Sequence, residues 1–275
     1  YIAARLDFVE SILRRGARGV ALTKIETKGY PIADVQQNLE ELLYETEQRA
    51  KNLIRGNIQY SLRDKIVGGK LKVDQGVIAG CAGGIHENIL DVAAILKGHD
   101  LGNDTFGLSV YPDSQPVMIE LTKQGVMANL MTAGATIRTA FCGPCFGAGE
   151  VPANGQLSIR HTTRNFPNRE GSKPVAGQIA SVALSDARSI AATSINGGFL
   201  TAATELEGIQ YQRPAFYFDK TVYDHRVYNG YQNPKPDVST GLWTQHRGLA
   251  RYGPDGREPV AGSRIGHHGS SYYDR

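Results

Sequence analysis

The chain has 275 residues, 41% of them hydrophobic, a formal net charge of +3 and three cysteines. That length and apolar content support one large or two ordinary domains with a buried core, and no apolar stretch approaches the length of a membrane span. The small net charge, without a run of five or more like charges, argues against a nucleic-acid partner, and the odd, sparse cysteine count argues against a disulfide framework. The N-terminus lacks the basic, apolar, small-residue order of a signal peptide, so a soluble, cytoplasmic protein is expected. A start at Tyr1 rather than Met favours the expectation of a piece of a longer protein, the alternative being a divergent protein that kept this part alone.

Taken in order, apolar residues first recur at helical spacing from Ala3 to Arg15 (Leu6, Val9, Ile12, Leu13) and again from Asp34 to Ile54 (Leu39, Leu42, Leu43, Leu53). Two amphipathic helices are expected there, with "TKGYPI" as a turn between them and "KIVGGKLKVD" as a glycine-broken hairpin or connector. Residues 1–70 thus form an N-terminal helical segment and connector. From Gly76 the pattern changes. "GVIAGCAGG" reads as a short buried strand entering a glycine turn, and "IHENILDVAAILKG" as a helix ending at Gly98. Strand, turn and helix recur in "FGLSVYP" with "PVMIELTKQGVMANLMTAG". "ATIRTAFCGPC" follows as a third strand, "QLSIRHTTRNF" as a fourth, and "GQIASVALSDARSIAATSING" as a strand and helix of small residues. Residues 71–206 therefore predict a three-layer α/β domain with a mainly parallel sheet. Beyond Glu207, Tyr, Gly, Pro, Asn and Arg dominate and helical periodicity is lost, so 207–275 is expected to be a loop-rich extension. Its tyrosines, among them Tyr211, Tyr217, Tyr223 and Tyr228, either cover an interface or fold back on their own domain.

The cysteines sit in two loops at the carboxyl ends of predicted strands, Cys81 after the first and Cys142 with Cys145 after the third, where ligand sites of parallel sheets collect. Only Gly143 and Pro144 separate the last two, a tight turn that lets both thiols reach one metal centre. Four readings stay open from the residues themselves. A structural zinc site needs a fourth ligand, and His86 is the nearest candidate. A thioredoxin-like redox pair needs Cys142 and Cys145 but not Cys81. Three buried, unreactive cysteines are the plain alternative. The fourth reading is an iron-sulfur cubane held by three thiolates, whose remaining iron is open to substrate.

"GCAGGIHENILDVA", then "CGPCFG", then "RHTTRNFPNREG" resembles, in order and spacing, the iron-sulfur hydro-lyases of the aconitase family. There a cysteine followed by Thr-Asn opens a helix, a CGPC-like pair follows, and an Asn-Arg-Asn-Phe-x-x-Arg segment comes next. The likeness covers roughly residues 70–205, the family's third domain. It implies that Cys81, Cys142 and Cys145 ligate a 4Fe-4S cluster and that Arg164 and Arg169 bind carboxylates of a small hydroxy polycarboxylate substrate. Guanidinium forks suit that task because they pair bidentately with carboxylates. The cluster is oxygen-labile in this arrangement, and aerobic purification can strip it.

This sequence departs from the pattern in having Ala82-Gly83 for the Thr-Asn pair and Thr163 for the Asn before the first arginine. The family's other domains, which carry its base and further histidines, acids and arginines, have no counterpart in residues 1–70 or 207–275. The expected partners are therefore a carboxylate substrate and the missing aconitase-like domains, in cis or in trans, and the catalytic base is not identified in this chain. Alone, the chain is expected to have little hydratase activity, since losing the proton-transfer group costs ~10²–10⁴-fold. A non-catalytic zinc or iron-sulfur module for structure or sensing is the rival. Three lesser signals have plain explanations: the glycines at 80, 83 and 84 lack a phosphate-loop order, His161 reads as a hydrogen-bonded structural histidine, and His267-His268 lie in a polar tail.

Overall fold

A computed structural model describes residues 5–9, 27–51, 59–102, 106–145, 147–162 and 179–221. The described residues up to Asp219 form one compact unit, and the rest of the chain, from Lys220, is a second.

The chain opens with strands β1 (Arg5–Val9) and β2 (Thr27–Pro31), paired antiparallel. Both correct the reading above, which expected a helix over 3–15 and a turn at 27–32. Five residues do not discriminate between periods of 2 and 3.6, and β1 is fixed by a long-range partner: it pairs antiparallel with the final strand, β9. The second expected helix is present as α1 (Ile32–Gln37) and α2 (Leu39–Lys51), which bury Ile32, Val35, Leu39 and Leu43. The break falls at Asn38, whose amide and side chain both bond to Asp34 O. The connector that follows is tied to α2 by Glu47, a fully buried carboxylate. It accepts from the amides of Leu62 at 2.6 Å and Arg63 at 2.8 Å, from Ser61 Oγ at 3.0 Å and from Arg63 Nε at 3.1 Å. Burial alone would raise its pKa, but these donors outweigh it and hold the carboxyl below the usual range. The expected hairpin is present as β3 (Ile66–Val67) and β4 (Lys70–Leu71) around Gly68-Gly69.

The α/β unit follows. Strand β5 (Gln75–Ile78) leads into a single helical turn, α3 (Gly80–Gly83), and then α4 (His86–Leu96). Strand β6 (Gly107–Val110) is followed by α5 (Gln115–Lys123) and α6 (Val126–Thr132), one apolar stretch that the left-handed Gly125 divides. Strand β7 is short (Thr136–Ile137), so most of "ATIRTAFCGPC" is loop; β8 (Leu157–His161), β9 (Ser181–Ser185) and α7 (Ala187–Ile195) complete the unit. The sheet order is β2-β1-β9-β8-β5-β6-β7, and the stretch from β9 to β7 is parallel throughout. This is the mainly parallel α/β fold that the sequence pattern predicted.

The two faces of the sheet differ. In register, Gly76, Leu108, Ile159 and Ala183 point one way, and α7 packs over β5 and β8 on that side with α4 beside it. Ile78, Val110, Ile89, Val92 and Ile190 join them in one continuous apolar core. On the opposite face the buried apolar cluster among the described residues is small, Val77, Ala79 and Tyr111, beside the polar side chains of Gln75, Ser158 and Arg160. Most of the expected extension, 222–275, lies outside the described residues, and residues 207–219 contain neither helix nor strand. They are fastened to the helical layer by Arg213 on Asp91 of α4, by Lys123 on Asp219 at 2.7 Å and by a ring contact between Phe216 and His86. No helix among the described residues is long and apolar enough to cross a membrane.

Candidate functional site

All three cysteines lie at the carboxyl edge of the parallel strands. Cys81, exposed, sits in α3 directly after β5; Cys142, exposed, and Cys145, buried, lie in the loop after β7, where Gly143–Cys145 forms a tight helical turn closed by Cys145 N on Cys142 O at 3.2 Å. The two elements are neighbours, since α3 packs against the 143–145 turn as well as against β8. Thus a topology that runs β5 and β7 parallel, with β6 between them, brings residues 61 positions apart in sequence to adjoining loops.

Two glycines make this approach possible. A Cβ at Gly83 would lie 2.0 Å from the carbonyl oxygen of His161 in β8, and one at Gly143 would lie 2.1 Å from the carbonyl oxygen of Ala148 and 2.2 Å from the Phe141 ring. Both positions place main chain against main chain, so no side chain fits without moving the loop. From α4, Asn88 Nδ2 donates to the carbonyls of Ala82 at 2.8 Å and Gly83 at 3.3 Å, which satisfies the end of the short α3 turn.

Beneath the cysteine loop lies a residue that the sequence reading passed over. Arg160, in the middle of β8, is fully buried. Its Nε donates to Ser158 Oγ at 3.1 Å, Nη1 to the carbonyl of Pro144 at 3.2 Å, and Nη2 to Gln75 Oε1 at 3.4 Å and to the carbonyl of Glu150. The Glu150 carboxylate accepts in turn from Tyr111 OH at 2.9 Å and Arg138 Nε at 3.1 Å, and Glu150 adopts a left-handed backbone, φ 52°. Desolvation brings the Arg160 pKa down to about 10, against the pull of Glu150, Tyr111 and Cys145; desolvation and the Glu150 contact push Tyr111 up to about 12. At neutral pH the guanidinium keeps its charge and the phenol its proton. One signal was available: strict alternation in "LSIRH" puts Arg160 on the face opposite Leu157 and Ile159, but alternation ordinarily assigns a charge to solvent.

The same edge carries another unusual group. Strand β9 ends at Ser185 and Asp186 follows as the cap of α7; the buried Ser185 Oγ and Asp186 Oδ2 find no hydrogen-bond partner among the described residues. Asp186 Oδ1 caps α7 by accepting from Ser189 N at 2.9 Å, and His161 Nδ1 accepts from Ala187 N at 3.1 Å. His161 is thus a bonded structural histidine, as read from sequence, and desolvation holds its pKa below the usual value against the opposing influence of Asp186. His86, the candidate fourth zinc ligand, is engaged elsewhere, with Nε2 at 3.0 Å from Gln124 Oε1 and its ring against Phe216. Among the described residues no three His, Cys, Asp or Glu side chains form a group that could hold a single metal ion. Arg164, Arg169, Tyr223, Tyr228 and His267-His268 lie outside the described residues.

Residues 20–192 match the aconitase family (aconitate hydratase). The chain belongs to the aconitase family. Among curated relatives, the 3-isopropylmalate dehydratase large subunit of Caldanaerobacter subterraneus subsp. tengcongensis is 34% identical over 140 residues, 50% of this chain and 32% of the relative. The homoaconitase large subunit of Thermus thermophilus is 37% identical over 137 residues, 50% of this chain and 31% of the relative. A third, the 3-isopropylmalate dehydratase large subunit of Clostridioides difficile, is 35% identical over 121 residues, 44% and 28% of the two chains. The chain therefore spans about a third of the length of the curated relatives it matches.

Within this family the departure at Ala82-Gly83 has a structural reason. At the position where the pattern has an Asn, the carbonyl of His161 fills the space a side chain would take, and Asn88 bonds to the carbonyls of the α3 turn. An Asn at 83 could be accommodated only if β8 and α3 moved apart.

Proposed function

We propose that the chain is the cluster-bearing part of an aconitase-family hydro-lyase, which reversibly removes and adds water on a small hydroxy polycarboxylate. The observation that carries this reading is the meeting of α3 with the Gly143–Cys145 turn, which brings Cys81, Cys142 and Cys145 onto adjoining loops at one edge of the sheet. Three thiols so arranged suit a 4Fe-4S cluster, which takes each thiolate on a different iron. A structural zinc site would need a fourth ligand beside the three thiols, and the nearest candidate, His86, is held by Gln124 and Phe216. The unpartnered Ser185 Oγ and Asp186 Oδ2 at the same edge support a ligand-facing role for it.

When bound, the cluster supplies an open Lewis-acid iron for the substrate's hydroxyl and carboxylate. The rest of this chain's part is binding and positioning. Arg164 and Arg169 hold substrate carboxylates through bidentate pairs, which fixes orientation and neutralises charge. The proton-abstracting base comes from aconitase-like domains outside this sequence, joined in cis or in trans; the relatives are named as large subunits, which agrees with the second. A substrate related to isopropylmalate or homoaconitate follows the relatives' names. A reducing cytoplasm suits both three thiols and an oxygen-labile cluster.

The test is the iron, acid-labile sulfide and zinc content of protein purified and reconstituted without oxygen, with Cys145→Ser beside it. About four irons and four sulfides per chain, lost in the variant, are expected. Citrate-like anions should then change the cluster's spectrum, as an open iron requires. Zinc without sulfide would overturn the catalytic reading and leave a structural module, and thiol redox activity that survives Cys81→Ser would assign the pair to oxidoreduction.

A further inference from the structure

The most unusual buried group in the molecule is Arg160, and the sequence pattern that identifies the family gives it no role. Its hydrogen bonds reach three separate segments: Gln75 of β5, Ser158 of its own strand, and the main-chain carbonyls of Pro144 and Glu150. Pro144 lies between the two cysteines of the turn, and Glu150 lies further along the same loop, before β8. No other side-chain type spans such a set, because a planar fork with five N–H donors can serve several acceptors from one rigid plane. A neutral amide could satisfy one or two of these carbonyls and would leave the others buried and unpaired.

We propose that Arg160 is the positioning residue of the cysteine turn: its fork pins both ends of the 144–150 segment to the sheet and fixes a positive charge behind Cys145. The first half concerns this chain alone, while the second rests on the cluster reading above. Three features support it. The carbonyls that Arg160 holds are those of the turn, not of the sheet ladder. The group is buried enough for its charge to be poorly screened. Pro144, whose carbonyl accepts from Arg160 Nη1 at 3.2 Å, is the residue next to the buried Cys145. Around it, the Glu150 carboxylate is shared with the Arg138 guanidinium and the Tyr111 hydroxyl. A cluster held by three thiolates is negatively charged, and nearby positive charge and hydrogen bonding set its potential.

The experiment compares the full chain with Arg160→Lys, which keeps charge without the fork, and Arg160→Gln, which keeps neither. In metal-free protein, hydrogen exchange at the amides of Cys145 and Ala148, bonded to the carbonyls of Cys142 and Gly143, should quicken at least about tenfold in both variants. Cys145 should become open to alkylation, while amides of β5 and β6 keep wild-type protection. In reconstituted protein the cluster's midpoint potential should fall in Arg160→Gln and stay near wild type in Arg160→Lys. Unchanged exchange in the turn, or loss of protection spread equally through the sheet, overturns the clamp; should Arg160→Gln fail to fold, Arg160→Lys carries the same comparison. An unchanged potential in Arg160→Gln, or one that falls equally in Arg160→Lys, overturns the fixed-charge half. A wild type that takes up no iron and sulfide refutes the proposed function together with that half, and the exchange comparison still decides the clamp.

Discussion

The two faces of the central sheet are built from the same strands yet do different work. On the helical side, Leu108, Ile159 and Ala183 meet Ile190 and the rest of a continuous apolar core, and the energy of that face is mostly area removed from water. On the other side the buried apolar cluster among the described residues is only Val77, Ala79 and Tyr111, and the cysteine loop is held by directional bonds from Arg160 to its carbonyls and from Tyr111 to Glu150. Apolar contact tolerates small slides, whereas a hydrogen-bonded fork fixes a loop to within a few tenths of an ångström. A loop that must present thiols in a set geometry is better served by the second, at the cost of burying charge.

That contrast can be broken in order of expected effect. The largest belongs to the seam between α3 and β8: Gly83→Ala puts a methyl 2.0 Å from a carbonyl oxygen and should cost about 3–4 kcal/mol in denaturant unfolding while disturbing metal uptake. Ile159→Ala, on the apolar face, should cost about 3 kcal/mol and leave thiol reactivity of Cys142 unchanged. If its loss of stability came with changed reactivity, the two faces would not be separable. Tyr111→Phe removes one donor to Glu150 and should cost about 1 kcal/mol, with its effect concentrated in exchange of the 147–150 amides. The smallest effect is a pH slope. Burial holds the His161 pKa below its usual 6.5, so above that value both folded and unfolded states are neutral and the ring's contribution is fully present. As pH falls through 6.5 the unfolded chain takes up a proton that the folded ring resists, and stability declines. Denaturant melts between pH 5 and 8 should show that decline in wild type and a flatter profile in His161→Gln.

Much of this arrangement was legible beforehand. The strand and helix order from β5 to α7 follows from periodicity and glycine placement, and the same pattern puts the cysteine loops at strand ends. The Arg5–Val9 strand was misread as helix, because its pairing partner β9 lies far along the chain and a five-residue segment cannot announce it. Nothing in the local sequence marks Glu47, which accepts from Ser61, Leu62 and Arg63. The two cases share a cause: local pattern carries periodicity, but an edge to complete or a set of orphan amides to satisfy is known only once the chain has folded.

The sequence by itself determined which atoms are available for chemistry, three thiols and a pair of arginines in a family's order, and the repeating unit that makes a parallel sheet. Only the tertiary structure decided that α3 lies against the 143–145 turn, that a side chain is sterically excluded at Gly83, and that Arg160 faces inward. The physical reason is that ligand identity is a property of single residues, whereas burial, close approach and the pairing of a charge belong to elements brought together from distant parts of the chain.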